Sequence, residues 1–463
     1  MRRNNKIPLV NPILVLALVV ITSFLTPFLG SAVNIALPHM GSELNMSAVG
    51  LSWVSMSFLL SSAVFLVPLG RLADLAGRVR IFIYGTIIVA ISSFFCAWAQ
   101  SSGMLIGARV VQGIGSAMMF GTNMAIVTST FPPQRRGWAI GITVTSVYLG
   151  LSVAPVVGGL LTEWFGWRSI FLVTGPLGLL VAVTALIVLK PARQEVPVHS
   201  FDVKGSLVYV LAMSALMFGL SRLPESSAIL LAGAGIAGLL LFGWLEMRTT
   251  VPIFDVKLFL GNRVFALSNL AALINYATTF AVTFILSLYL QYIKGLTPKE
   301  AGLLLIAQPV MMALVASFAG RWSDRFSPRL LASGGMAVIA VGLVMLLWLN
   351  ASTPNGYLLT TLLVLGIGFG LFSSPNTNSV MSSVERKDLG IASATVATMR
   401  LTGQMVSMAI ATLVIQLFMG HAHITPETEK DFLKTIPVTF MIFLILIGLG
   451  IWASLARERR SVS

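Results

Sequence analysis

Two arginines of the 463-residue chain, Arg109 and Arg400, lie inside long apolar stretches. A guanidinium stays charged and carries five N–H donors, so it needs carbonyls, an acid, an anion or water beside it. In a membrane span its insertion costs at least about 2.5 kcal/mol, and such a residue faces a partner or a wet cavity. Both arginines are therefore candidates for binding an anionic group. The alternative is a structural arginine that donates to backbone carbonyls and to a neighbour such as Gln112.

The acidic residues are distributed in the opposite way. All sixteen Asp and Glu residues lie in loops or near the ends of apolar stretches, and none of the four histidines is central in one, although His39 lies close to the end of the first. A buried cavity carboxylate with a raised pKa is the simplest device by which a proton and a cation compete for one charge. We therefore expect two cations and no acid at mid-membrane depth, which favours neutral, zwitterionic or anionic amphiphiles.

Neutral polar side chains inside the apolar stretches could complete such a site by hydrogen bonding. The alternative is that they hydrogen-bond between helices, and we expect only some of them to meet a substrate. Together with the two arginines, the candidates for substrate binding or coupling are Asn34, Gln112, Asn123, Tyr148, Asn275, Tyr276, Gln308, Asn376 and Gln404.

Other kinds of chemistry have no sequence support. The chain contains no phosphate-cradling Gly-x-x-x-x-Gly-Lys-Ser/Thr loop and no paired metal-ligand spacing. Its single cysteine, Cys96, lies in an apolar stretch, which excludes an intrachain disulfide. The formal charge of +14 is spread singly between apolar stretches rather than gathered in a nucleic-acid-binding stripe. We expect no cofactor, no metal, no nucleic acid partner and no enzymatic activity.

The composition indicates a membrane protein. Hydrophobic residues make up 56% of the chain and charged residues only 10%, whereas a soluble protein carries about 25% charged residues. A spanning helix needs about 20 apolar residues. Stretches of that kind begin near residues 12, 51, 81, 103, 137, 168, 205, 227, 264, 299, 329, 357, 388 and 433. The sequence therefore predicts an all-α polytopic protein with fourteen spans.

The basic residues orient these spans. With the N-terminus inside, 22 of the 30 Lys and Arg residues fall in cytoplasmic segments, where they are enriched in membrane proteins. If one span were missed or added, every later loop would move to the other side of the membrane, and the excess of Lys and Arg in the cytoplasmic segments would be lost. An even number of spans with both termini cytoplasmic is therefore predicted.

A short cytoplasmic turn occurs twice. "GRLADLAGRVR" (70–80) follows the second span, and "GRWSDRFSPRL" (320–330) follows the tenth. The repeat predicts two related halves, with a first six-helix half over 1–190, two inserted helices with their linkers over 191–263, and a second six-helix half with a basic tail over 264–463. Paired halves around a midplane site are the usual build of secondary transporters.

The first of these turns could act as a conformational switch. Gly70 and Gly77 allow a tight connection, Asp74 suits a helix N-terminus, and Arg78 lies one helical turn further on. This loop resembles the signature loop of the major facilitator superfamily, and the resemblance implies that these residues, with Arg71, form a latch between the halves, with Arg321 and Asp324 as its weaker counterpart. The alternative is a turn that merely keeps the loop short and solvated.

Several motifs in order resemble the major facilitator superfamily, and within it the fourteen-span drug:proton antiporters of the multidrug efflux type. "GRLADLAGR" resembles the signature between spans two and three, "LIGARVVQGIGSA" (105–117) the span-four motif, and "GLSVAPVVGG" (150–159) the antiporter motif of span five. The span-five motif is matched at Gly150, Pro155, Gly158 and Gly159. Small residues and a proline there would let a bent helix pack closely at the interface of the halves, where rocking would occur.

The span-one motif of that family has the form Leu-Asp-x-Thr-x-x-Asn-x-Ala-Leu-Pro. Alignment on Asn34 and Pro38 puts Leu29 at the aspartate and Ser31 at the threonine, and Ala154 replaces a glycine of the span-five motif. The missing acid argues against proton-coupled export of cationic drugs through that position. Glu163, Asp74 and His39 remain as proton-coupling candidates near the span ends.

The expected function is secondary active export of amphipathic or hydrophobic small molecules by alternating access in a cell membrane, by a monomer. The resemblance implies proton antiport. One alternative is a transporter of a lipid or an anionic metabolite with the same fold, which recognises its cargo through Arg109 without proton coupling. A membrane sensor without transport is a third possibility, which the lack of a sizeable soluble domain disfavours.

Overall fold

The long apolar stretches fold as helices because in hydrocarbon a helix satisfies every backbone N–H and C=O within one segment. The computed structural model describes residues 11–189, 202–223, 225–249, 253–254, 256–323, 325–385, 389–420 and 422–457. These residues contain fourteen helices that are long and apolar enough to cross a membrane, which confirms the predicted number. Their first residues lie within about one helical turn of the predicted starts.

Six helices form the first half and two further helices follow it. The first six are α1 (Pro12–Leu44), α2 (Ala48–Ala76), α3 (Arg78–Ala97), α4 (Ser102–Thr130), α5 (Pro133–Phe165) and α6 (Arg168–Val188). The inserted pair is α7 (Val203–Arg222) and α8 (Ser226–Arg248).

The second half begins with a short helix and contains six spans. Its helices are α9 (Val256–Gly261), α10 (Arg263–Leu288), α11 (Pro298–Leu305), α12 (Ala307–Trp322), α13 (Pro328–Leu346), α14 (Asn355–Ser382), α15 (Leu389–Met419) and α16 (Glu429–Leu455). A π-helical turn over Tyr289–Ile293 extends α10, and α11 with α12 forms one interrupted span.

The two halves repeat one packing scheme. In the first half α2 packs on α4, α1 on α5, and α3 on α4 and α6. In the second half α12 packs on α14, α10 on α15, and α13 on α14 and α16. The structure therefore has the predicted fold class, two six-helix halves with two helices inserted between them. The domain boundaries given above remain a prediction.

The most extensive contacts between the halves join α2 with α15, α5 with α11, and α1 with α10. The inserted helix α7 packs on both α2 and α15, so it covers one of these seams. Trp53 of α2 meets Phe218 of α7 edge to face, with ring centroids 5.5 Å apart. The inserted pair thus lies beside the interface and leaves the centre of the molecule to the twelve other spans.

A proline interrupts the tenth span beside the centre. Pro309 lacks an N–H, and its ring clashes with the carbonyl of Leu305 in a regular helix. The helix accordingly breaks at Ile306, between α11 and α12. Discontinuous helices near the midplane are a common feature of transporter binding sites.

Candidate functional site

A central cavity lies between the two halves. Its empty volume is about 620 Å³, which includes space open to solvent. The hydrogen-bonding side chains that line it are Ser31, Asn34, Tyr276, Thr279, Thr283, Gln308 and Gln404. The apolar lining consists of Leu151, Pro155, Phe280, Leu305, Pro309, Met312 and Phe369.

This lining contains no charged side chain. Amides and hydroxyls supply both donors and acceptors, and the aromatic rings offer flat apolar surface. Helices α1 and α5 contribute from the first half, and α10 to α12, α14 and α15 from the second. A molecule held here would touch both halves and would meet no carboxylate.

A positive charge lies at the edge of the cavity. The Arg400 guanidinium interacts with the hydroxyl of Tyr276, which also lies near Tyr148. The same guanidinium lies 5.3 Å from the centre of the Phe120 ring, in the other half. Of the two arginines predicted to meet substrate, Arg400 is therefore the one beside the cavity.

Arg109 lies elsewhere, inside the first half. It is fully buried, its Nε donates to the Val54 carbonyl at 3.1 Å, and its Nη1 donates to Gln112 Oε1 at 2.6 Å. Gln112 in turn donates to Ser93 Oγ at 2.8 Å, and the guanidinium lies 4.3 Å from the Phe58 ring centre. The expected contact of Arg109 and Gln112 with the cavity is absent, because α2 and α3 enclose both side chains.

Three of the predicted asparagines are also away from the cavity lining. Asn123 donates to Ser23 Oγ at 2.9 Å, which ties α4 to α1. Asn376 donates to the Ser268 carbonyl at 3.1 Å, which ties α14 to α10. Asn275 is fully buried, and neither of its side-chain polar atoms has a partner. Asn123 and Asn376 therefore follow the alternative considered above, in which a polar side chain hydrogen-bonds between helices.

The remaining candidates meet at the cavity. Asn34, Tyr276, Gln308 and Gln404 line it directly. Tyr148 stands beside it, and its hydroxyl lies 2.6 Å from Ser373 Oγ across the two halves. Leu29, at the position of the missing acid, is buried in the apolar core and does not belong to the lining.

The span-one motif seals the outer side of the cavity. Pro38 has no N–H, so the carbonyl of Asn34, four residues earlier, lacks its helical donor. Ser287 Oγ of α10 donates to that carbonyl at 2.7 Å. Because the asparagine lies four residues before the proline, its backbone carbonyl on α1 is left without a helical donor, and a serine of the other half donates to it.

The π-helical turn adds two further bonds to this seal. Gln291 Nε2 donates to the Ile35 carbonyl at 2.9 Å, and the Tyr292 hydroxyl donates to the Pro38 carbonyl at 3.4 Å. π-Helical turns occur frequently at functional sites. Sequence reasoning missed Ser287, Gln291 and Tyr292, because a π-helical turn leaves no apolar periodicity that would reveal it.

Close backbone contact between α5 and α11 closes the seal. A Cβ on Gly159 would lie 2.5 Å from the Pro298 carbonyl oxygen, and one on Gly302 would lie 2.2 Å from the Pro155 carbonyl oxygen. Both positions therefore exclude any larger residue in this conformation. Glu163 Oε2 accepts a hydrogen bond from the Lys299 backbone N–H at 3.1 Å. Gly302 was not among the predicted residues.

The other span-five glycines act within the first half. A Cβ on Gly150 would lie 2.5 Å from the Phe24 carbonyl oxygen, and one on Gly158 would lie 2.9 Å from Ala32 Cα. These glycines let α5 approach α1 closely. The motif thus serves two contacts, one inside its own half and one across the interface.

The cytoplasmic side differs from the outer side. Among the described residues, the hydrogen bonds and ring contacts that join the halves extend from the outer side down to two pairs, Tyr148 with Ser373 and Arg400 with Phe120. Nearer the cytoplasm, the described residues form no such bond or ring contact between the halves. The structure is closed toward the outside, which is the arrangement of an inward-facing transporter.

The predicted switch turn connects α2 and α3. Asp74 pairs with Arg78 at 2.9 Å and with Arg71 at 3.8 Å, and Gly77 has a φ of +106° that disfavours other residues. Gly70 faces Gly121 of α4 at this end of the bundle. In the second turn Arg321 is exposed, and Asp324 lies outside the described residues.

A family model described as the Major Facilitator Superfamily matches residues 19–269 and 268–463. The chain belongs to the major facilitator superfamily. The predicted family is confirmed, and the chain is a membrane transporter rather than an enzyme.

Among its relatives in the superfamily is the riboflavin transporter RibZ of Clostridioides difficile, 30% identical over 391 residues that cover 84% of each chain. The multidrug resistance protein Stp of Mycobacterium tuberculosis is 30% identical over 404 residues, 86% of this chain and 74% of that one. The methylenomycin A resistance protein of Streptomyces coelicolor is 28% identical over 439 residues, 93% and 90% of the two chains. The names of the last two relatives refer to drug resistance, which supports the predicted multidrug efflux type for this chain.

A solved structure shares the fold. The bacterial homolog of the human lysosomal transporter Spinster, in an inward-facing and occupied conformation, superposes with a TM-score of 0.69 at 17% identity. The match covers 97% of this chain and 98% of that one. At this identity the likeness concerns the fold alone.

Proposed function

We propose that this major facilitator exports uncharged and anionic amphipathic small molecules by alternating access. The observation that carries the proposal is the cavity between the halves, which is lined by amides, hydroxyls and aromatic rings without a carboxylate. Arg400 at its edge adds a positive potential that opposes a cationic cargo. The resistance proteins among its relatives support the outward direction.

Proton antiport belongs to the proposal because the resemblance to drug:proton antiporters implies it. Among the three candidates, Glu163 bonds across the outer seal and Asp74 pairs with Arg78 in the cytoplasmic turn. His39 is exposed near Glu163 at the outer end of α1. All three are away from the cavity lining, so protons and substrate would compete through the conformation of the protein rather than for one carboxylate.

A second candidate function is transport of an anionic metabolite or a planar polar heterocycle. Gln308 and Gln404 can pair with the edge of such a ring, while Tyr276, Phe280 and Phe369 can stack on its faces. The riboflavin transporter among the relatives supports this candidate. A lipid is the other alternative cargo, and it shares the need for a cavity without an acid.

The conformational cycle is proposed to use the residues of the seal and the turn. Gly159 and Pro155 would separate from α11 when the outer side opens, while Gly150 and Gly158 keep α5 on α1. The Asp74 turn would then bind the opposite half and hold the cytoplasmic side closed. Since both halves of one chain line the cavity, we propose a functional monomer, located in the cell membrane.

Proteoliposomes provide the test. Purified protein would be reconstituted and loaded with an uncharged, an anionic, a zwitterionic and a cationic amphiphile in separate experiments, with and without an imposed pH gradient. We expect flux of the uncharged and anionic compounds that increases with the gradient. Flux without gradient dependence would reject proton antiport alone, whereas flux of the cationic compound only would reject the proposed cargo.

A further inference from the structure

Two arginines meet at the cytoplasmic end of the second half. Arg457 follows α16, and its Nη2 donates to Asn376 Oδ1 of α14 at 2.5 Å. Arg329, in the first turn of α13, donates from Nη1 to the Arg457 carbonyl at 3.1 Å. The same Asn376 donates to the Ser268 carbonyl of α10. The cluster therefore joins four helices of this half.

These arginines have hydrogen-bonding capacity to spare. Arg457 is only 3% exposed, yet its Nε and Nη1 have no partner, and neither does Nε of Arg329. The Ser268 hydroxyl beside them is also buried without a partner. Among the described residues, neither arginine forms an ion pair with a carboxylate.

No acid in the described part of the chain compensates the charge of the cluster. Burial, with a contribution from Arg329, lowers the pKa of Arg457 to about 10, so the Arg457 guanidinium stays protonated at neutral pH. One buried and one half-buried positive charge, with no paired acid among the described residues, are costly unless an anion accompanies them. Free guanidinium N–H groups bind phosphate oxygens in a bidentate manner.

The surroundings place this cluster at the membrane surface. Leu330 of α13 and Leu449 and Trp452 of α16 are exposed apolar residues on the two helices that hold the arginines. Tryptophan is enriched where a span reaches the headgroup layer. The N-terminus of α13 adds its positive dipole, and the Ser327 side chain does not cap it.

We propose that Arg329 and Arg457 form a binding site for a phosphate group at the cytoplasmic surface of the membrane. The phosphate comes from the headgroup of an anionic phospholipid or from soluble inorganic phosphate. Its oxygens accept from Arg329 Nε and from one of the two free donors of Arg457, Nε or Nη1, which lie on different edges of its guanidinium. The bound anion links α13 to α16 and stabilises the second half, away from the cavity and independently of the transported compound.

The test measures thermal unfolding of the full chain in nanodiscs. One set contains phosphatidylcholine alone, one contains added phosphatidylglycerol, and one contains phosphatidylcholine with inorganic phosphate against chloride at equal ionic strength. The variants are Arg457→Gln and Arg329→Gln. The matched control is Arg248→Gln, since Arg248 also lies at the cytoplasmic end of a span but is exposed, with its guanidinium resting on Trp244.

We expect phosphatidylglycerol to raise the unfolding temperature of the wild type and of the control, but not of Arg457→Gln. In phosphatidylcholine alone Arg457→Gln should unfold at or above the wild-type temperature, because it removes a buried charge that pairs with no described acid. Each arginine should contribute about fivefold to the preference for phosphatidylglycerol over phosphatidylcholine.

The two phosphate sources give different results. Stabilisation by inorganic phosphate that equals that by phosphatidylglycerol would assign the site to a soluble anion, and stabilisation by the lipid alone would assign it to a headgroup. Equal responses of the wild type and Arg457→Gln to both would overturn the proposal. If Arg457→Gln does not fold, Arg329→Gln, whose side chain is only half-buried, takes its place.

Discussion

The central cavity and the Arg109 cluster both hold polar side chains inside the membrane, but they use them differently. In the cluster, Arg109, Gln112 and Ser93 hydrogen-bond to one another and to a backbone carbonyl. At the cavity, Gln308 and Gln404 face space between the two halves. A polar residue in a span is therefore a candidate for substrate binding only when its hydrogen-bonding groups are not already taken by neighbouring residues.

The largest effect is expected from a substitution in the seal on the outer side of the cavity. In Gly302→Val the new side chain collides with the Pro155 carbonyl, which lies against Gly302 in this outward-closed structure. The protein should fold but remain open to the outside, and we expect transport to fall at least about tenfold. Substrate flux in proteoliposomes and accessibility of outer cysteine labels would measure this. Gly107→Val, where a Cβ meets nothing within 4 Å, is the control.

A variant in the cluster should change stability rather than substrate choice. Arg109→Leu leaves the Gln112 amide oxygen without its donor and removes one of the donors to the Val54 carbonyl, which costs about 1–3 kcal/mol. We expect a lower unfolding temperature and an unchanged ratio of neutral to anionic flux. A selective loss of anion flux in Arg109→Leu would show that this arginine meets the substrate in another state of the cycle.

The converse variant removes one amide from the cavity. Gln404→Ala loses a hydrogen bond to the substrate worth about 1 kcal/mol, so the KM should rise about fivefold. The unfolding temperature should stay within a few degrees of wild type. A drop as large as that of Arg109→Leu would instead make Gln404 a structural residue, and the distinction between the two regions would fail.

The smallest effect is expected from the bond between Tyr148 and Ser373. Ser373→Ala removes this neutral contact across the halves, which contributes about 0.5–1.5 kcal/mol to the inward-facing state. We expect a severalfold change in turnover at most and no change in substrate order. Stopped-flow transport rates would detect it, with Ser317→Ala as a control because Ser317 bonds only to its own helix.

The number of spans and the two-half build could be predicted, because they depend on the length of the apolar stretches and on a repeated turn. The orientation drawn from loop charge stays a prediction. The direction in which an individual side chain faces could not be predicted. Asn34 lines the cavity while Leu29 packs in the core of the same helix, and an apolar helix gives no periodicity to separate them. Arg109 sits in a recognisable motif, yet only the positions of α2 and α3 reveal its partners.

The outer seal was harder still to predict. The motif of Asn34 and Pro38 was recognised, but its meaning depends on a free carbonyl that Ser287 fills from 253 residues away along the chain. Gly302 forms part of the seal only because Pro155 lies against it in this conformation. Contacts that exist in one state of a transporter leave no local signal in the sequence.

The most direct test of the neutral cavity is a binding measurement with one amphiphilic scaffold in uncharged, anionic and cationic forms. The wild type should bind the uncharged and anionic forms more tightly than the cation, and Gln404→Glu, which adds one carboxylate at equal size, should reverse that order by at least about tenfold. A wild type that prefers the cation, or a Gln404→Glu variant with the same order as wild type, would contradict the account.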